Sequence, residues 1–238
     1  RAIGIAQAHF DNINLDLMYA LPQQTLAEAE QDIDTARGFG TTHLSAYQLT
    51  LEPNTLFHRH PPPLPDSELA ADMQDMIEAR LADAGYANYE TSAFAQPGRE
   101  CRHNLNYWRF GDYLGIGAGA HSKLSFPDRI LRQMRYKQPR EYMQRTAAGV
   151  PVQEDRVVSR KDLGFEFMMN ALRLADGFEA RLFAERTGQT LAAAERPLRE
   201  AVERGLITRD HVRIAPTRRG QRFLNDLLQL FLPQDGAP

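Results

Sequence analysis

The chain has 238 residues, 42% of them hydrophobic and 25% charged, a composition that excludes a disordered or low-complexity polypeptide. Its net charge of −3 gives no overall positive field to recruit nucleic acid or anionic lipid. The single cysteine, Cys101, excludes an intramolecular disulfide framework and suits a reducing, cytoplasmic setting. No apolar run reaches the ~18 residues that a membrane-spanning helix needs. The chain opens on Arg1 within what reads as the last turns of a helix over residues 2–9, and is read as a piece of a longer protein.

Residues 12–19 turn from alternating to mostly apolar, which predicts a strand buried on both faces. Pro22 stops it. Thr25 followed by Glu28 is a capping box, and Leu26, Ala29, Ile33 and Ala36 continue at helical spacing. Gly38 and Gly40 end that helix, and 43–50 reads as the next strand. Strand, helix and strand with short connections predict a βαβ unit and local parallel pairing. Prolines 53, 61, 62, 63 and 65 predict a stiff, extended loop, in which His58 and His60 make a weak metal-site candidate. A helix over 66–84 carries Leu69, Met73, Met76, Ile77 and Leu81 on one face and ends at Gly85. Residues 86–94 read as one short strand. From 95 to 125 the periodicity breaks into glycine, aromatic and polar residues, the texture of a site rather than a scaffold.

Residues 126–156 read as a connector, and 157–238 as a second domain. Ser159 caps a helix bearing Leu163, Phe167, Met168, Ala171 and Leu172. Shorter helices are expected over 178–187 and 191–204, with Pro197 inside or starting the second. A hairpin around Arg209 and Asp210 and a final helix from Thr217 complete a winged-helix-like α+β pattern. Such domains often bind DNA, but this one has thirteen basic against eleven acidic residues. They alternate in sign along the helices, as on a solvated surface, and no nucleic-acid partner is expected.

Three stretches could carry chemistry. Asp16 lies in an apolar strand, where an unpartnered buried carboxylate is costly. It reads either as a structural acceptor of backbone N–H groups or as a ligand-facing group near the strand end, where α/β sheets bind ligands. The second stretch, 101–108, gathers His103, Asn104, Asn106, Tyr107 and Trp108. It reads either as a polar loop packed by its aromatic end, or as an imidazole ligand for haem iron beside flat apolar faces. The third, 115–122, has the spacing G-x-G-x-G. It lacks the third glycine of a dinucleotide loop, so close backbone approach or close packing is the expectation.

Together, 12–25, 43–49, 103–108 and 115–122 resemble the radical SAM proteins related to oxygen-independent coproporphyrinogen III oxidase. Residues 160–232 resemble that family's C-terminal domain. His103-Asn104-x-x-Tyr107-Trp108 resembles the H-N-x-x-Y-W signature of the family's haem-chaperone branch, which the true oxidases lack. The resemblance implies an α/β fold: the C-terminal part of a partial (β/α)6 radical SAM barrel over 1–125, then the connector and the winged-helix-like domain. It also implies a 4Fe–4S cluster held by three cysteines, with S-adenosylmethionine on the fourth iron. One cysteine cannot supply three ligands, so the cluster loop is expected upstream of this chain. By position, Asp16, Thr50, Leu105, Asn106 and His121 fall on the S-adenosylmethionine side. His103, Asn104, Tyr107 and Trp108 fall on the haem side, with His103 the iron ligand. The implied partners are haem and a haem-accepting protein, a membrane-associated acceptor included. The implied function is haem binding and transfer. The alternative is an enzyme, radical decarboxylation of coproporphyrinogen III, so enzymatic activity stays open. A winged-helix regulator of nucleic acid is a third reading, opposed by the near-neutral charge.

Overall fold

A computed structural model describes residues 1–233. The last five residues of the expected C-terminal domain lie outside the described residues. The chain divides into two compact units after Cys101, earlier than the expected boundary at 125.

In the first unit, α1 (Ala2–Gln7) precedes β1 (Asn14–Tyr19), α2 (Leu26–Gly38), β2 (His43–Gln48), α3 (Leu56–Arg59), α4 (Ser67–Asp83), β3 (Ala87–Glu90) and β4 (Ala93–Ala95). β1 and β2 pair in parallel from Asn14↔His43 to Tyr19↔Gln48, as the βαβ pattern predicts. The Thr25–Glu28 capping box is present in both directions. Leu44 and Ala46 of β2 pack with Ala29, Ile33 and Ala36 of α2 and Met73, Ile77 and Leu81 of α4. The proline-rich loop holds one helical turn, α3, capped by Thr55.

Two expectations are corrected here. The sheet order is β1-β2-β4-β3, with β4 antiparallel to both neighbours, so 86–94 is a hairpin and not one strand. The Asn88 amide donates to the carbonyls of Glu90 and Ala93 and ties the turn. Nor is β1 buried on both faces. Leu15 and Leu17 pack on the helices, whereas Asn14, Asp16 and Met18 are exposed. β1 is an edge strand, and the apolar core covers one of its faces only.

The second unit begins with α5 (Arg102–Trp108), β5 (His121–Ser125), β6 (Ile130–Arg135), α6 (Pro139–Ala147) and β7 (Val152–Val157). These three strands form an antiparallel sheet. Residues 126–156 are therefore structured, and the expected connector supplies two of the three strands. Their arginines and carboxylates hide a strand signal that rests on apolar alternation. There follow α7 (Arg160–Ala171), β8 (Phe178–Glu179), α8 (Ala180–Thr187), a 3-10 turn (Leu191–Ala194), α9 (Glu195–Glu203), β9 (Ile207–Arg209), β10 (Arg213–Pro216), α10 (Arg218–Arg222) and α11 (Leu224–Gln229). β8, β10 and β9 form a second antiparallel sheet. Pro197 lies in the first turn of α9, where its missing N–H is tolerated.

The single helix expected after Thr217 is broken at Phe223 (φ −109°, ψ 43°) into α10 and α11. Gly220 sits so close to the Leu206 carbonyl that an added Cβ would lie 1.8 Å from it. That contact fixes α10, and the break then turns Leu227 and Leu228 into the core.

Ser159 accepts from the backbone N–H of Asp162 at the start of α7. Ser159→Ala is expected to cost about 1 kcal/mol in urea unfolding. Threonine at the same position should restore most of it, and an alanine variant as stable as wild type would show the cap to be idle.

Candidate functional site

In the first unit, Asn14 and Asp16 of β1 lie on one face of the sheet beside His43 and Ser45 of β2, with which they pair in parallel register. His43 and Ser45 are buried. The Asn14 amide donates to Asp16 Oδ1 at 2.8 Å, and its Oδ1 lies 2.7 Å from His43 Nδ1 and accepts from Ser45 Oγ at 3.1 Å. His43 Nε2 lies 2.8 Å from the Tyr89 hydroxyl. Asp16 is thus exposed rather than buried, and its partner is a neighbouring side chain rather than backbone N–H groups. Thr50 follows β2, is exposed, and donates to Glu52 at 2.9 Å. His43 was no candidate in the sequence, although its alternation with Ser45 mirrors that of Asn14 and Asp16.

Burial holds the His43 imidazole below its usual pKa, against the opposing pull of Asp16 and Glu100. Tyr89 is the third titratable group against the ring. In the unfolded chain the imidazole returns to about 6.5 and there binds more protons than in the native state. Its contribution to stability is therefore present above that value and lost as pH falls through it. The urea midpoint is expected to drop between pH 7.5 and 5.5, with a shallower drop in His43→Gln. An equal slope in both proteins would remove His43 as the cause.

In the second unit, α5 places His103 and Tyr107 one turn apart, with ring centroids at 5.0 Å. Tyr107 stacks on Tyr113 at 4.1 Å. Tyr107, Trp108, Tyr113 and His121 line a cavity of about 850 Å³, a volume in the range of small-molecule sites. His103 is exposed and its ring nitrogens have no hydrogen bond among the described residues. Asn104 and Leu105 are half-buried on α5. Asn106 is spent on the fold. Its amide donates to the Asp112 carbonyl at 2.9 Å, and it sits where a Cβ on Gly111 would go. The Trp108 indole N–H is buried without a hydrogen-bond partner among the described residues, and the Arg173 guanidinium lies 5.1 Å from the Trp108 ring centre. Burial and the neighbouring Tyr113 push the Tyr107 hydroxyl up to about 12, so it stays protonated.

The far wall is an ion-pair network that no motif announced. Glu166 on α7 binds Arg132 at 2.8 Å and Arg156 at 3.2 Å, and Arg132 also donates to the Tyr113 hydroxyl at 2.8 Å. Lys123, 1% exposed, pairs with Asp112 at 2.8 Å and sits 4.3 Å from the Phe110 ring centre. Burial lowers the Lys123 pKa, opposed by Asp112. Burial would raise Asp112, but hydrogen bonds from Lys123 and Ser125 outweigh it and hold its pKa low. The available signal was a polar or charged residue inside apolar register, as at Lys123 in β5 and at Glu166 and Asn170 one turn apart on α7.

The glycine-rich turn before β5 is packed. A Cβ on Gly115 would lie 2.1 Å from the His121 carbonyl, and Gly117 and Gly119 have φ of 112° and 71°. Gly115 thus serves close backbone approach, whereas Gly117 and Gly119 serve the left-handed backbone of the turn.

Residues 158–223 match the HemN C-terminal domain model. The heme chaperone HemW of Escherichia coli is 46% identical over 226 residues, which are 94% of this chain and 58% of that protein. The same-named protein of Haemophilus influenzae is 43% identical, over 98% of this chain and 61% of its own length. This chain is similar to both proteins along nearly all of its own length. It spans about 58% of the length of the Escherichia coli relative. Among solved structures, coproporphyrinogen III oxidase (HemN) from Escherichia coli, described as a radical SAM enzyme, superposes with a TM-score of 0.75 at 18% identity. That match covers 96% of this chain and 57% of the oxidase, and it shows the fold.

An iron–sulfur cluster does not fit the donors present. Cys101 is the single thiol, and no group of three or more His, Cys, Asp or Glu residues among the described residues could hold a metal ion. His58 and His60 belong to no such group among the described residues.

Proposed function

We propose that the full-length protein carrying this HemW-related chain is a haem chaperone, which binds haem at the α5 cavity and passes it to a haem-accepting protein. The observation that carries this reading is the ring series His103–Tyr107–Tyr113 beside a cavity of about 850 Å³. An exposed imidazole without a hydrogen bond is a competent axial ligand for iron. Tyr107 and Trp108 offer flat apolar faces to a porphyrin. Asn104, half-buried beside them, belongs to the same element. Arg173 puts positive charge over the Trp108 wall, of the sign that propionates require. The curated relatives named heme chaperone support the same reading.

On the S-adenosylmethionine side, Asp16 and Thr50 are assigned to the first unit and Leu105, Asn106 and His121 to the second. Asp16 fits a hydroxyl of the cofactor, since its second carboxylate oxygen has no partner among the described residues. The β1–α2–β2 unit is read as part of a partial (β/α)6 barrel. The helices and the β8-β10-β9 sheet are read as the winged-helix-like domain.

The test is titration of haemin into the full-length protein, followed by addition of an apo-haem protein. A saturable Soret shift that then moves to the spectrum of the acceptor is expected. A spectrum equal to free haemin plus protein would overturn the proposal. The oxidase alternative predicts something different, oxygen-independent conversion of coproporphyrinogen III to protoporphyrinogen.

A further inference from the structure

We propose that Tyr89, His43 and Asn14 form a hydrogen-bond relay of fixed direction that positions the Asp16 carboxylate as an acceptor for a ribose hydroxyl. The inference rests on the assignment of Asp16 to the S-adenosylmethionine side. A carboxylate only accepts, so the Asn14 amide nitrogen must face Asp16 Oδ1, at 2.8 Å. Asn14 Oδ1 then faces inward and accepts from Ser45 Oγ at 3.1 Å. The 2.7 Å contact between that oxygen and His43 Nδ1 requires the proton on Nδ1. A neutral imidazole protonated there must accept at Nε2, so the Tyr89 hydroxyl at 2.8 Å donates to it. The Tyr89 oxygen in turn accepts the Cys101 N–H at 3.3 Å. Each assignment forces the next, and the buried histidine fixes the sense of the whole chain.

The physical consequence is a pre-set acceptor. An exposed aspartate on an edge strand would otherwise sample several rotamers, and ordering it on binding costs affinity. The relay holds Oδ1 and leaves Oδ2 to accept a hydrogen bond from a hydroxyl. Asn14, His43 and Tyr89 touch no ligand in this account; they are positioning residues.

Two experiments on the full-length protein test this. The first, on wild-type protein at neutral pH, reads the His43 tautomer from its ring 15N shifts. Protonated Nδ1 with bare Nε2 is expected, and the opposite tautomer would overturn the relay whatever any variant does. The second compares S-adenosylmethionine affinity by calorimetry. Asp16→Asn should weaken binding about tenfold, the scale of one hydrogen bond to a charged group. Asn14→Asp, which puts an acceptor where the donor was, should weaken it by a similar factor and raise the Asp16 carboxyl pKa in 13C spectra. His43→Gln, which retains one donor and one acceptor, should bind more tightly than His43→Leu. If Asp16→Asn weakens binding while Asn14→Asp leaves both affinity and the Asp16 titration unchanged, the relay is wrong. If Asp16→Asn binds as wild type, the assignment of Asp16 fails, and the proposal with it.

Discussion

His103→Ala in the full-length protein should weaken haemin binding by more than about tenfold, a loss that removal of a mere supporting partner can already reach at a metal site. Its Soret band should shift toward that of five-coordinate or solvent-ligated haem. The argument is local. His103 is exposed, without a hydrogen bond among the described residues, and held against Tyr107 by ring contact. Its removal leaves no buried group unpaired, so the fold should be unaffected. Tyr107→Phe keeps the ring and the Tyr113 stack at 4.1 Å, and the phenol, protonated throughout the ordinary pH range, is a poor anionic ligand. That variant should therefore bind haemin nearly as wild type does. Unchanged affinity and spectrum in His103→Ala would remove this residue from the site, whatever Tyr107→Phe does.

Phe167→Ala should be among the most destabilising single changes in the second unit, by about 3–5 kcal/mol in urea unfolding. Phe167 is fully buried. Its ring lies edge-on to Phe110, Phe178 and Phe183, at 5.8, 5.0 and 5.2 Å. These neighbours come from the segment after α5, from β8 and from α8, so a cavity there loosens three elements at once. Phe110 also lies under Lys123, and the same variant should therefore disturb the cavity wall. A loss below about 1 kcal/mol would mean that the cluster repacks and does not anchor the unit.

How far the fold was legible depended on whether a signal was local. The Thr25–Glu28 box, the Ser159 cap, Gly85 and the apolar faces of α2, α4 and α7 were all readable, because each is set by neighbours within a turn or two. The β5-β6-β7 sheet was not. Its strands carry Lys123, Arg132 and Arg156, whose charges are neutralised by Asp112 and Glu166 from outside the sheet. The same holds for the site. His103, Tyr107 and Trp108 stood out as a cluster of reactive and aromatic types within six positions. His43 and Glu166 did not, since a polar residue in apolar register shows that it has a partner but not which one.

The sequence by itself determined the βαβ unit, the capped starts of α2, α4 and α7, the absence of a cluster-forming cysteine set in this chain and the aromatic signature later found on α5, since these are matters of spacing and composition. Tertiary structure alone decided that Asp16 stands exposed on an edge strand and that Asn106 is committed to its own turn. It alone decided that Tyr107 and Trp108 line one cavity with ion pairs brought from β6 and α7. Such facts depend on which long-range partner satisfies each polar group, and pairing of that kind is fixed only when the strands close.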